Sequence, residues 1–348
     1  MGNYLPVRPD WLGLHEEEIL EPSLAIVDAH HHFYDRPGWR YMADEYLADA
    51  GSGHRVRASV YMQALTHYRT ASPQAMQPVG ETEFVVQAAQ GVQDVQEHRQ
   101  GHAACALAQG IVGYADLRAG AAVREVLLAH LEAGKGRFRG IRHLATWDAD
   151  SSLVNPLTAA PQGLLLDPAY RRGVAQLAPL GLSFDAWLLF PQLPELLDLA
   201  LAFPQTAVII NHCGGVARIG AYEGRHAEVF ERWKTSMQAL ARLPNVYVKL
   251  GGLGMRINGF GFEKADRPAA SEQLAAAWRP WMETCIEAFG ADRCMFESNF
   301  PVDKGSFSYA TCWNAFKRLA AGASVAERQA LFEGTASRVY RLGQAQPE

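Results

Sequence analysis

Eight β-type runs alternate with helix-length amphipathic segments along the 348-residue chain, and each run is bounded by Gly, Pro or Asn. That alternation predicts an α/β fold, a single (β/α)8 TIM barrel of parallel strands. Two further observations favour one barrel over two domains. No linker divides the chain, and its two longest connections, Thr146–Leu165 and Gly252–Ala270, follow strands four and seven. Both leave C-terminal strand ends, the face where barrel enzymes keep their active sites, and long loops there serve as lids or substrate walls. A barrel typically takes about 250 residues, more with insertions. The reading therefore assigns residues 1–23 to a leader packed on the barrel and 24–348 to the barrel itself.

The first strand is LAIVDAHHHF, behind a polar, Pro-containing leader. RASVYMQA, Arg57–Ala64, is the second, and a helix is expected from about Glu81 to Gln100. The third lies within AACALAQGIVGYADL and precedes a helix through AAVREVLLAHLEA. FRGIRHLA is the fourth, LSFDAWLL the fifth, TAVIINHCGG the sixth, NVYVKLGGL the seventh and RCMFESNF the eighth. Apolar and β-branched content separates these runs from the helical segments.

Composition narrows the function classes. With 32 Lys and Arg against 37 Asp and Glu, the net charge is −5, and no basic block points to nucleic acid or an anionic membrane. No apolar run reaches the ~18 residues of a membrane span. The start shows no apolar h-region, so no secretory signal is expected, and Pro6 occupies the position where myristoylation wants Ser or Thr. The five cysteines form no C-x-x-C pair, as expected of reduced thiols in a cytoplasmic protein. The expected partner is a small-molecule substrate, and a homo-oligomer is compatible with the composition.

The chemistry concentrates at strand ends. In AIVDAHHHFYD, alternation along a strand places Asp28, His30 and His32 on one face and Ala29 and His31 on the other. Two imidazoles at a barrel mouth can hold Zn²⁺ or polarise a carbonyl; a polar strand end without function is the competing reading. His212 closes strand six on the face of Val208 and Ile210 and brings the imidazoles to three, while Cys213 points away as a packed thiol. Arg142 can clamp a carboxylate or pair with a structural acid. Lys249 sits on a strand, where a lysine needs a partner or a task. Gln63 can position substrate, and Asp185 can support a histidine. On strand eight Met295, Glu297 and Asn299 share a face, and Asp303 lies in the loop beyond. Hydrolysis needs a base to take a proton from water; Asn299 cannot be it, whereas Glu297 or Asp303 can. A G-x-S-x-G elbow is missing, HEEEI lacks the second histidine of H-E-x-x-H, and GGLGMR lacks the helix-opening context of a phosphate loop.

From about Leu24 to Leu342 the chain resembles the amidohydrolase superfamily. It is most similar to the branch that contains 2-pyrone-4,6-dicarboxylate lactonase and the L-rhamnono- and L-fuconolactone hydrolases. VDAHHHF and RCMFESNFPVD carry the resemblance, with GIRH, INHCGG and VYVKLGG in the expected order between them. It implies a barrel hydrolase that opens a lactone, or a related C–O or C–N bond, of a small carboxylated substrate. His30, His32 and His212 would take the metal or carbonyl-polarising roles, Glu297 or Asp303 would activate water, and Arg142 with Lys249 would hold a carboxylate. One divalent metal, zinc foremost, is implied, and a metal-free mechanism is compatible too. In Glu297-Ser298-Asn299-Phe300-Pro301, Asn299 replaces the family's aspartate and Glu297 its glycine. Two alternatives remain: a metal-dependent decarboxylase or hydratase of an aromatic or unsaturated acid, and a barrel that binds a small molecule without catalysis.

Overall fold

The computed structural model describes residues 4–97, 105–155 and 159–343. Eight parallel strands form one sheet in sequence order: β1 (Ala25–His31), β2 (Arg55–Met62), β3 (Ala106–Gly113), β4 (Phe138–Ile141), β5 (Ser183–Ala186), β6 (Val208–Ile210), β7 (Val246–Leu250) and β8 (Cys294–Phe296). The chain is an α/β barrel, as its strand–helix alternation predicts. The helices expected near 81–100 and 121–133 run Val79–Glu97 and Val123–Ala133. Residues 98–100, the expected end of the first, lie outside the described residues, as do the start of the third predicted strand run at 103–104 and residues 156–158 of the loop after β4.

The barrel is nearly closed. Beyond β1 and β8 the chain ends meet: His32 N–H donates to Phe300 O at 2.8 Å and Asn299 N–H to His30 O at 3.0 Å. The first and last signatures of the sequence thus become neighbours. Val27, Ala29, Val60, Met62, Ile209 and Met295 fill the interior, and Tyr340 and Ala336 of the C-terminal segment pack with them. A second, larger core joins the outer strand faces to the helices. No described helix is long and apolar enough to cross a membrane.

Two elements reach over the mouth. Tyr34–Arg36 and Trp39–Tyr41 form an antiparallel hairpin whose turn is Pro37-Gly38, with Gly38 at φ 77°. The dipeptide suits that turn because proline presets φ and glycine accepts the left-handed conformation. The leader packs against the hairpin, Tyr4 lying 5.0 Å from the Trp39 ring centre. It is tied to the loop after β7 by Arg8 Nη2 donating to Glu263 O at 2.6 Å and Trp11 Nε1 to Ala265 O at 3.0 Å.

Candidate active site

Simple alternation does not explain how the histidines reach the mouth. Val27 and Ala29 both belong to the interior core, so Asp28 points outward. There it accepts Ser298 Oγ at 2.7 Å and the Tyr46 and Tyr309 hydroxyls at 3.1 Å each. The expectation that Asp28 shares the face of His30 and His32 is therefore corrected. A break in the β1–β2 register between Asp28 and His31 shifts the phase and turns His30 and His32 inward. His31 looks away, as expected, stacked on Tyr46 at 4.0 Å, and burial pushes its imidazole down to about 3. His212 needs a second device. Val208 and Ile210 face the helices and Ile209 the interior, so a continued strand would point residue 212 outward. His212 and Cys213 instead adopt φ of 53° and 51°, and that left-handed turn swings the imidazole over the mouth. Such backbone is uncommon outside glycine and clusters at functional sites.

Glu297 organises the site from below. Its Oε1 accepts from His212 Nδ1 at 2.7 Å and from His212 N–H at 3.0 Å. Its Oε2 lies 2.8 Å from His30 Nδ1, out of line for a hydrogen bond, and has no other partner. Two glycines make the room: a Cβ on Gly251 would meet Glu297 O at 2.2 Å, and one on Gly252 would meet His212 Nδ1 at 2.3 Å. Any side chain at either position would displace the pair. His30 Nε2 faces His32 Nε2 at 3.0 Å, and His32 spends its Nδ1 proton on Met62 O at 2.9 Å. Burial holds His30 and His32 well below the ordinary imidazole range, with Lys249 and Arg142 respectively adding to the effect. His212 is also lowered by burial, opposed by Glu297.

This arrangement has an electrostatic gap. With its proton on Nδ1, His30 opposes the lone pair of His32 at 3.0 Å; with its proton on Nε2, it turns a lone pair to a carboxylate oxygen at 2.8 Å. Arg142 Nη1, 3.2 Å from His30 Nε2, favours the first tautomer, and Lys249 Nζ, 3.5 Å from His30 Nδ1, favours the second, because both cations can only donate. A cation held at these imidazoles would remove the repulsion. Among the described residues, the set of potential ligand atoms all within 4.8 Å of one another is His30, His212 and Glu297. Imidazoles with one carboxylate are the donor set of zinc and similar ions, so the residues present fit a divalent cation.

The remaining predicted residues divide by depth. His32, Arg142, His212 and Asn299 line the pocket. Arg142 is held by Gln63 O, which accepts from Nη2 at 2.6 Å, and its Nε has no partner. Among the described residues no carboxylate lies within ion-pair distance of its guanidinium. Gln63 thus serves through its backbone, and its buried side-chain amide makes no hydrogen bond. Lys249 does not reach the pocket as expected. It is wholly buried and paired with Asp185 Oδ1 at 2.9 Å, which also accepts the Tyr340 hydroxyl at 2.7 Å and the Asn211 amide at 3.1 Å. Asp185 supports that lysine rather than a histidine. Asp303 lies behind Asn299, accepting its Nδ2 at 2.8 Å and Gly254 N–H at 2.8 Å, and burial raises its carboxyl to about 8. With Nδ2 so committed, Asn299 has its amide oxygen left for the pocket.

Sequence reasoning missed the walls. Tyr4 of the leader, Tyr34 of the hairpin and Trp187 after β5 line the pocket. The run YDRPGWRY, aromatic residues alternating around Pro-Gly, was the available hairpin signal. Of the aromatic and sulfur side chains in the long loops, Met255 lines the pocket; Phe260 and Phe262 stack on each other at 5.5 Å, away from it.

A family model described as Amidohydrolase matches residues 27–342. An uncharacterized protein of Sinorhizobium fredii is 34% identical, covering 92% of this chain and 99% of its own. An L-fucono-1,5-lactonase of Burkholderia multivorans is 28% identical over 91% of this chain and 96% of its own. A solved zinc-bound amidohydrolase from Burkholderia multivorans superposes with a TM-score of 0.66 at 25% identity, covering 91% of this chain and 99% of that one.

Proposed function

As the chain belongs to the amidohydrolase family and is an enzyme of the hydrolase type, we propose that it opens the ring of a small carboxylated lactone by adding water. The observation that carries this reading is the His212–Glu297 pair, 2.7 Å apart at the pocket floor. Glu297 accepts the Nδ1 proton of His212 and so fixes the tautomer that presents Nε2 as a lone pair. His212 takes a proton from water as the oxygen attacks the lactone carbonyl. The acyl C–O bond then breaks, and the proton passes to the departing ring oxygen, giving a hydroxy acid. Glu297, expected to act on water itself, acts here through the imidazole, because it has no surface on the pocket.

Arg142 binds the substrate carboxylate. It is a buried cation without an acid of its own, and leaving such a charge unpaired is costly. Asn299 offers its amide oxygen to the attacking water. His30, with His32 and the unpartnered Oε2 of Glu297 beside it, would hold a divalent cation, which would supply Lewis-acid polarisation of the carbonyl. Support for lactones over other carbonyl substrates comes from the lactonase relative. A lactone panel followed by acid release tests the reading. The expected result is turnover that His212→Asn lowers by about 10²–10⁴-fold; turnover undiminished in that variant would refute the base role.

A further inference from the structure

The walls of the pocket differ in kind from its floor. Hydrogen-bonding groups aimed at the ligand come from His32, Arg142, His212 and Asn299, all at the strand ends. Above them the wall is Leu144, Leu153, Leu189, Met255, Ile257 and Val302. Three aromatic rings complete it, Tyr4, Tyr34 and Trp187. Thr146 and Asn155 also line the pocket and have interactions of their own, and the Tyr4 and Tyr34 rings lie with their centres 6.2 Å apart.

We infer that the substrate is a lactone with an apolar, unhydroxylated ring face, aryl- or alkyl-substituted, carrying one carboxylate, and not a polyhydroxylated sugar lactone. The inference rests on the lactonase reading above. A ring hydroxyl set against the six aliphatic side chains of this wall gives up water and meets carbon. Each hydroxyl left without a partner costs roughly tenfold in affinity, so two such groups set apart the two substrate classes by about 100-fold. An apolar substituent in the same place gains from leaving water. The carboxylate fits Arg142, the one end of the cavity where a buried cation lacks an acid, so the ligand is oriented with its charge at the floor and its apolar part under Tyr4 and Trp187. The leader segment is thereby part of the specificity wall. Water adds across the acyl C–O bond as above, with no co-reactant, and the product is a hydroxy acid whose apolar part is unchanged.

The test is a matched comparison on the full chain purified without added metal and again with zinc supplied. One substrate is a phenyl- or alkyl-substituted δ-lactone bearing a carboxylate; the other is L-fucono-1,5-lactone. A kcat/KM at least about 100-fold higher for the apolar lactone is expected, and a sugar lactone turned over equally well or better would overturn the inference. Tyr4→Ala should raise KM for the apolar lactone about tenfold; an unchanged KM would remove the leader from the wall. If neither lactone is turned over, the lactonase reading fails, and calorimetry with the two ring-opened acids still decides the pocket's preference. Tighter binding of the apolar acid supports it, whereas equal binding, tighter binding of the sugar acid or no binding of either overturns it.

Discussion

Replacing Glu297 by glutamine perturbs the site at one atom and one charge. The wild-type Oε1 receives two N–H groups of His212, from the backbone at 3.0 Å and the ring at 2.7 Å, while Oε2 lies 2.8 Å from His30 Nδ1. A glutamine can keep its oxygen toward His212, but its NH₂ then faces His30. That imidazole must move its proton to Nε2, which sets N–H against the Arg142 guanidinium at 3.2 Å. In the reverse orientation the NH₂ opposes both N–H groups of His212. Around the histidines Lys249 is paired with Asp185, Arg142 has no carboxylate of its own, and Glu297 lies against His30 and His212; the substitution removes its negative charge from beside these cations. The stability loss should be roughly 1–3 kcal/mol, the cost of a spoiled buried hydrogen-bond set. The loss in kcat should be far larger, about 10²–10⁴-fold, because the oriented base is gone. That corresponds to about 3–5 kcal/mol in the barrier at 1.36 kcal/mol per decade. Steady-state kinetics on a lactone identified by screening, with a thermal melt on the same preparation, separates the two effects. A folded variant with kcat within about twofold of wild type and the same pH profile would refute both the base assignment and the geometry behind it.

Further outcomes follow from other parts of the site. Because burial holds His212 below the ordinary imidazole value, the base is already neutral at pH 7. Activity should therefore be flat through neutrality and fall only as pH drops below about 6.5, which a pH–kcat profile checks. Elemental analysis should find a divalent cation in protein purified without added metal, and His30→Ala with His32→Ala should lose it while remaining folded by circular dichroism. Lys249→Met alone leaves Asp185 buried without its cation and should cost about 3–5 kcal/mol; adding Asp185→Asn should recover much of that in a denaturant melt. For Asp303 the folded carboxyl is raised to about 8 from an ordinary 3.8, so the folded state holds its proton across that window. Its contribution to stability is full below about pH 4 and is lost as pH rises toward 8, and Asp303→Asn should remove that part of the pH dependence in melts compared at pH 5 and pH 8.

The fold was legible because strand and helix periods repeat, and the chemistry because the residues capable of it sit at strand ends. What could not be read was depth and phase. Alternation placed Asp28 with His30, but the register break in β1 undoes it; alternation placed His212 with Ile210, but two left-handed residues supply the rotation. A strand pattern carries no sign of either until the backbone is seen. Lys249 and Glu297 both face inward from neighbouring strands, and nothing in VYVKLGG or CMFESNF says that one finds Asp185 and the other two imidazoles. Those pairings depend on height along a tilted barrel, a property of closure and not of local sequence.

The Gly251-Gly252 pair is set by closure as well. In the sequence it stands in a run without the context of a phosphate loop, yet Gly251 gives room to Glu297 and Gly252 gives room to His212. Both members of the proposed dyad thus depend on one missing side chain each, contributed by the strand between them. Gly252→Ala meets the imidazole at 2.3 Å, where no rotamer of alanine offers relief, and imposes φ 65° on a residue that resists it. The barrel, whose core lies elsewhere, should survive with a modest fall in melting temperature. Turnover should collapse to the level of His212→Asn, because an imidazole displaced by about 1 Å loses its alignment with Glu297 and with the water it must deprotonate. Turnover well above that of His212→Asn in a folded Gly252→Ala protein would show that the imidazole is not held where the chemistry requires it, and would move the base to another residue.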